Sequence, residues 1–286
     1  VNDLHFGEIS CGATDDPDVG PVLSAGPGER PYPVTMNEAA AGEIAGAAPD
    51  LVLAKGDLTD GGRPEEMSAF LDCYAGAFGE RLAWVRGNHD VSPGARVDGP
   101  DVLERWLPGL VVAALDTTSP GEAGGRVRPD QLDWLDELAA RADRPVLVAG
   151  HHQPRAPGSP IGPRPYFGID PASSEALVEL VARRPSILAY VCGHTHRNRV
   201  RRFERAGEVP WIEVSCVKDF PGSWAEYRVF EGGLLQVHRR ISTPEALAWS
   251  ERCRQMVFGL YAGYALGSLE DRCLAILPRR GSPSAP

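Results

Sequence analysis

Of the seven histidines in this chain, six fall in short segments that also carry aspartate or asparagine, or a second histidine. In order, "NDLHFG" offers Asp3 and His5, "GDLTD" offers Asp57 and Asp60, and "GNHD" offers Asn88 and His89. "GHHQP" adds His151 and His152, and "GHTH" adds His194 and His196. In Asp-x-His and His-x-His the two side chains lie two residues apart, so both can point the same way from extended backbone. Carboxylate and imidazole donors without cysteine suit iron, manganese or zinc in a reactive site, rather than calcium or a closed structural zinc. Seven candidate donors of this kind are too many for a single ion that must leave room for a substrate. They fit two ions about 3.5–4 Å apart that share one carboxylate.

The segments have a common position. "DLVLAKGD", "RLAWVRGNHD", "PVLVAGHH" and "SILAYVCGHTH" are apolar runs that stop at a glycine, and "GLVVAALD" ends directly on Asp116. Short apolar runs without alternation predict strands covered on both faces. Between them lie helical stretches. "TMNEAAAGEIAGAA" offers Thr35 and Glu38 as a capping box, and the helices beginning "RPEEM" and "RPDQL" carry proline in the first turn. "SSEALVELVARR" ends before Pro185. Strands alternating with helices predict α/β layers, and parallel strands would bring their carboxyl ends, with the Asp, His and Asn residues, to one edge. Residues 8–33 and 153–170 read as long loops, a length associated with lids and binding loops.

We expect a catalytic domain over residues 1–240, whose first strand is truncated because "VNDLHFG" opens at a strand end. A helical extension over 241–277, packed on the core or on a partner in a homodimer, and a disordered tail over 278–286 would follow. A net charge of −10 argues against a partner such as duplex nucleic acid or an anionic membrane, and no apolar run approaches a membrane span. The six cysteines form no CxxC pair, and Cys192 and Cys216 lie in apolar runs, a pattern that fits a reducing cytoplasm. Asp116 reads as a cap or as a group that supports a ligand, rather than as a ligand itself, and His238 as part of an amphipathic strand. Asp90 reads either as a turn residue or as the support of a ligand.

Taken together and in this order, the motifs over roughly residues 1–240 resemble the calcineurin-like metallophosphoesterase superfamily, with D-x-H, G-D, G-N-H-D, a later His and G-H-x-H. Within it they are most similar to the bacterial class III cyclic nucleotide and glycerophosphodiester phosphodiesterases. The resemblance implies an α/β fold: a four-layer αββα sandwich of two mixed sheets flanked by helices. It also implies that Asp3, His5 and His196 hold one metal and that Asn88, His151 and His194 hold the other, with Asp57 bridging. His151 is preferred to His152 as the ligand because it directly follows the strand and its glycine, while the proline spacing favours His152 as the alternative; Asn88, His89 and His152 are expected to bind substrate. His89 would stand unligated beside the scissile phosphorus, oriented by Asp60. The metals would be manganese or iron, with zinc as an alternative.

A charge count gives asparagine at position 88 a reason. Two divalent ions with Asp3, Asp57 and a bridging hydroxide leave a net charge of about +1, and an aspartate at 88 would cancel it. The expected reaction is attack by that hydroxide on phosphorus, with His89 protonating or stabilising the departing oxygen. Gly61 stands where protein phosphatases of the superfamily carry an arginine that supports a phosphate dianion. A phosphodiester, cyclic nucleotides such as cAMP first, is therefore expected, with Arg86 and Arg197 as possible contributors. A phosphomonoesterase, a nucleotide pyrophosphatase or a non-catalytic scaffold on the same fold are the alternatives.

Overall fold

The computed structural model describes residues 1–14, 16–159 and 167–283. The first paired segments are β1 (Ser10–Cys11) and β2 (Leu23–Ser24), two residues each, so the loop over 8–33 has little regular structure of its own. Helix α1 (Tyr32–Gly46) leads to β3 (Val52–Lys55). Next, α2 (Pro64–Phe70) runs through a π-turn into α3 (Gly76–Phe78), followed by β4 (Leu82–Val85). The middle of the chain alternates β5 (Val102–Leu107), β6 (Leu110–Leu115), α4 (Pro129–Arg141), β7 (Val146–Ala149), α5 (Pro171–Arg183) and β8 (Ile187–Cys192). Then come β9 (Arg199–Arg202), β10 (Pro210–Glu213), β11 (Ser223–Phe230) and β12 (Gly233–Arg240). The chain closes with α6 (Pro244–Cys253), α7 (Leu260–Leu266), α8 (Leu269–Arg272) and β13 (Leu274–Ile276).

The larger sheet has the order β5-β6-β7-β8-β10-β9; its inner four strands are parallel and its two edges antiparallel, so it is mixed. The second layer joins parallel β3 and β4 to antiparallel β11, β12 and β13. Residues 1–6 lie between these pieces. The amide of Lys55 donates to the Val1 carbonyl and that of Asp3 to Gly56, while the Val217 amide donates to Asn2 on the other side. The opening segment is thus an inner member of the layer, although Phe6 with Thr59 is its one ladder bridge.

Alternation along the strands shows the four expected layers. On β6, Val111, Ala113 and Leu115 pack with Leu135, Leu138, Leu177 and Val181 of α4 and α5; Leu110, Val112 and Ala114 face the other sheet. On β3, Val52 and Ala54 pack against Met36, Ala40 and Ile44 of α1, with Trp249 of α6 in the same cluster, whereas Leu53 faces between the sheets. Period-2 side-chain direction makes each sheet a double-sided surface, and the three cores lie at the three interfaces of an αββα stack.

Two sequence readings need correction. Thr35 does not cap α1: the helix starts three residues earlier after Pro31, and the Thr35 hydroxyl turns back to the Pro31 carbonyl. Proline at 31 and 33 sets helical φ before the Thr-x-x-Glu pattern begins. The tail expected from residue 278 is fastened at its start, where Arg279 donates to the carbonyls of Val181, Arg184 and Ile187 and Ser282 to that of Pro185. Residues 284–286 lie outside the described residues, as do residues 160–166 of the second long loop.

Candidate metal centre

Both sheets deliver their strand ends to one edge. Asp57 follows β3, Asn88 follows β4, His151 follows β7 and His194 follows β8, each after a glycine. The glycines are required by space: a Cβ on Gly87 would overlap the Asp57 backbone nitrogen and carboxylate, and one on Gly193 would press on Asn2 and Asp3. Asp3, His5, Asp57, His194 and His196 all hold left-handed φ, between 48° and 68°. Residues with a Cβ resist this region, so the surrounding structure must over-determine these turns, as happens at functional sites.

Asp57 stands between two groups of donors. Asp57 Oδ2 lies 3.5 Å from His5 Nε2 on one side and 3.3 Å from His151 Nε2 on the other. Its Oδ1 accepts the His89 amide at 2.9 Å. On the first side His196 Nε2 is 3.6 Å from Asp3 Oδ1, and on the second His151 Nε2 is 3.1 Å from Asn88 Oδ1. Asp3 also takes the His194 amide, at 3.0 Å and 3.1 Å to its two oxygens.

The other nitrogen of most rings is already committed, and that leaves one atom free. His151 Nδ1 meets the Lys55 carbonyl at 2.8 Å, so Nε2 faces the centre. His194 Nε2 meets the Phe167 carbonyl at 3.1 Å, so Nδ1 is left. His196 Nδ1 faces Asp219 at 3.3 Å. His5 is buried with neither nitrogen hydrogen-bonded. A buried imidazole with two unmade bonds, facing carboxylates at distances too long for hydrogen bonds, is a place that wants a cation. The donors therefore fit metal ions; one group joins Asp3, His5 and His196, another Asp3, Asp57 and His151, and a third His151, His152 and His194.

Electrostatics agree with this. Burial alone would lower the His5 pKa, but Glu8, Asp57 and Asp60 outweigh it and bring it up to about 10. His151, opposed in the same way by burial, is raised to about 9 chiefly by Asp57. Burial would raise the Asp57 carboxyl, yet the imidazoles around it hold it well below the usual range. His194 is pushed well down by burial and by its neighbours His152 and His151.

Asp3, His5, Asp57, Asp60, Asn88, His89, His151, His152, His194 and His196 lie together here, whereas His238 lies apart on β12. Asp60 touches His89 through its backbone: His89 Nδ1 donates to the Asp60 carbonyl at 2.7 Å, and the carboxylate stands 3.8 Å away, next to His5. His152 turns Nδ1 to the Thr117 hydroxyl at 2.8 Å and leaves Nε2 buried without a partner. Asp90 ties two motif turns together, accepting from the amides of Gly87, Leu58 and Thr59 and from the Thr59 hydroxyl. Arg86 is bound to Asp116, and Arg197 to Glu213. Glu8, Thr117, Phe167, Lys218 and Asp219, which no motif announced, surround the cluster. Cys216 is more than a small apolar residue, since its thiol donates to Asp219 at 2.9 Å.

The calcineurin-like phosphoesterase family profile matches residues 1–198, which include every motif but none of the C-terminal segment. The chain belongs to that family. This calcineurin-like phosphoesterase is 36% identical over 121 residues to a cAMP/cGMP dual specificity phosphodiesterase of Mycobacterium tuberculosis, covering 38% of either protein. It is 33% identical to the 3',5'-cyclic adenosine monophosphate phosphodiesterase CpdA of Pseudomonas aeruginosa, over 61% of this chain and 64% of that one. A glycerophosphodiester phosphodiesterase, GpdQ of Enterobacter lignolyticus, is 28% identical over 55% and 60% of the two chains. The chain thus spans roughly two fifths to two thirds of the curated relatives it matches. In fold, the phosphoesterase is similar to a dimetal phosphatase from Danio rerio, with a TM-score of 0.60 at 17% identity, over 85% of this chain and 95% of that one. No helix among its described residues is long and apolar enough to cross a membrane.

Proposed function

We propose that this protein hydrolyses phosphodiesters, cyclic nucleotides first, at a centre of two metal ions held by Asp3, His5 and His196 and by Asn88, His151 and His194, with Asp57 shared. The observation that carries the reading is the position of Asp57 Oδ2, midway between His5 Nε2 and His151 Nε2. The names of three relatives, all phosphodiesterases, support the substrate class. When bound, such ions neutralise phosphate charge and make water nucleophilic near neutral pH.

The remaining work falls to the chain. His89 has 37% of its side chain exposed, at the mouth of the cluster, and its Nδ1–H bond to the Asp60 carbonyl leaves Nε2 toward a substrate. Burial, with His5 and Lys218 nearby, lowers its pKa, so a proton taken up at Nε2 is readily passed to the departing ester oxygen. Thr117 Oγ1 already accepts the His152 amide, so its hydroxyl proton is available to His152 Nδ1. Nε2 then carries hydrogen and can donate to a phosphate oxygen; burial and His151 lower this ring's pKa to about 3 and keep it neutral. Arg86 and Arg197 are committed to carboxylates, and Lys218 to Glu8, so these side chains give a second phosphate charge little support. That favours a diester monoanion over a monoester dianion.

The test is metal content measured alongside hydrolysis of bis-p-nitrophenyl phosphate, p-nitrophenyl phosphate and cyclic AMP. Two ions per chain and faster diester than monoester turnover are expected; a monoester preference would put the phosphomonoesterase in its place. A homodimer through the C-terminal extension belongs to the same proposal, supported by exposed Phe258, Leu260 and Leu269, and is read by sedimentation.

A further inference from the structure

The helical segment beyond β12 reaches back to the turn that carries His196. Helix α7 lies against residues 195–198, the turn that carries His196 and follows His194. The Tyr264 hydroxyl donates to the Thr195 carbonyl at 2.9 Å, between the two histidines. The Asn198 amide donates to the Ala265 carbonyl at 2.9 Å, and its side chain to that of Leu266 at 3.2 Å. The Arg197 guanidinium sits over the Tyr264 ring at 5.0 Å. One residue of the helix reaches a histidine ring through a carboxylate: the Tyr261 hydroxyl donates to Asp219 Oδ1 at 2.7 Å, and Asp219 Oδ2 faces His196 Nδ1.

We propose that α7 is a positioning element for the metal centre, in which Tyr261 holds the Asp219 carboxylate so that His196 presents Nε2 toward Asp3, while Tyr264 pins the strained turn between His194 and His196. Both histidines have left-handed φ, a conformation that persists only where outside contacts fix it. An imidazole whose far nitrogen is bonded to a fixed carboxylate is locked in tautomer and orientation, and loss of such a partner costs about 10–100-fold in metal affinity or activity. Neither tyrosine points at the reacting atoms, so both are positioning residues. The inference rests on the two-metal reading above.

Full-length protein stripped of metal and titrated with Mn²⁺ by calorimetry, beside Tyr261→Phe and Tyr264→Phe, tests it. Tyr261→Phe removes one hydroxyl from a packed ring. It should weaken one of two Mn²⁺ ions about 10-fold while the other binds as before. The Tm of the metal-free protein should hold, and wild-type kcat should return in excess Mn²⁺. Tyr264→Phe should weaken the same ion less. Identical isotherms for wild type and Tyr261→Phe would overturn the inference, as would equal weakening of both ions with a fall in metal-free Tm. A wild type that binds fewer than two ions would instead overturn the two-metal reading, and this inference with it.

Discussion

In the proposed two-metal centre, the two halves use the same ring on different backing. Behind His5 and His196 stand carboxylates: Glu8 and Asp60 at 3.8 Å and 3.9 Å from His5, and Asp219 at 3.3 Å from His196. Behind His151, His194 and His152 stand neutral groups, the carbonyls of Lys55 and Phe167 and the hydroxyl of Thr117. Negative charge behind an imidazole makes it a more basic donor, whereas a carbonyl orients it without adding charge. The Asn88 side, with a neutral amide among its donors, should therefore hold its ion more loosely than the Asp3 side.

The largest change comes from the residue common to both halves. Asp57→Asn should empty the centre below one ion per chain, by elemental analysis, and remove several kcal/mol of transition-state stabilisation, about 10³-fold or more in kcat. His89→Ala should leave both halves filled and cost about 10²–10⁴-fold, most for alkoxide leaving groups and least for p-nitrophenolate. Loss of metal in that variant would assign the ring to the wrong role. Glu8→Gln should weaken only the Asp3-side ion, by about 10-fold, and Thr117→Val should leave that ion alone. Graded chelation should remove the ions in two steps, and a single step for both would refute the asymmetry.

The smallest effect concerns a histidine in neither half. His238 on β12 is depressed to about 4 by burial, with Arg272 and Arg240 adding to it. It is neutral in the fold while the unfolded chain takes up a proton near 6.5, so its share of stability is present above that pH and lost as pH falls toward 4. His238→Gln should make urea midpoints less sensitive to acid across that window.

What the sequence disclosed follows the same division. Residues at strand ends were legible, because an apolar run, a glycine and a polar pair announce Asp57, Asn88, His151 and His194 wherever the strand points. Their backing was not. Glu8, Phe167 and Asp219 lie in segments without period, and chain spacing does not tell that Asp219 meets His196 or Tyr261. Strands β5 and β9 were missed because they are sheet edges with no buried residue and with charged side chains among them, so no apolar run marks them. Pro31 decided the start of α1 against the louder Thr-x-x-Glu pattern.

The bond from the His194 amide to Asp3 joins residues 191 apart in the chain. Closing so wide a loop is entropically costly until the sheets on both sides already exist. In the proposed two-metal centre, most of the polypeptide must therefore leave the ribosome before Asp3 and the His194 turn can be brought together around a cation.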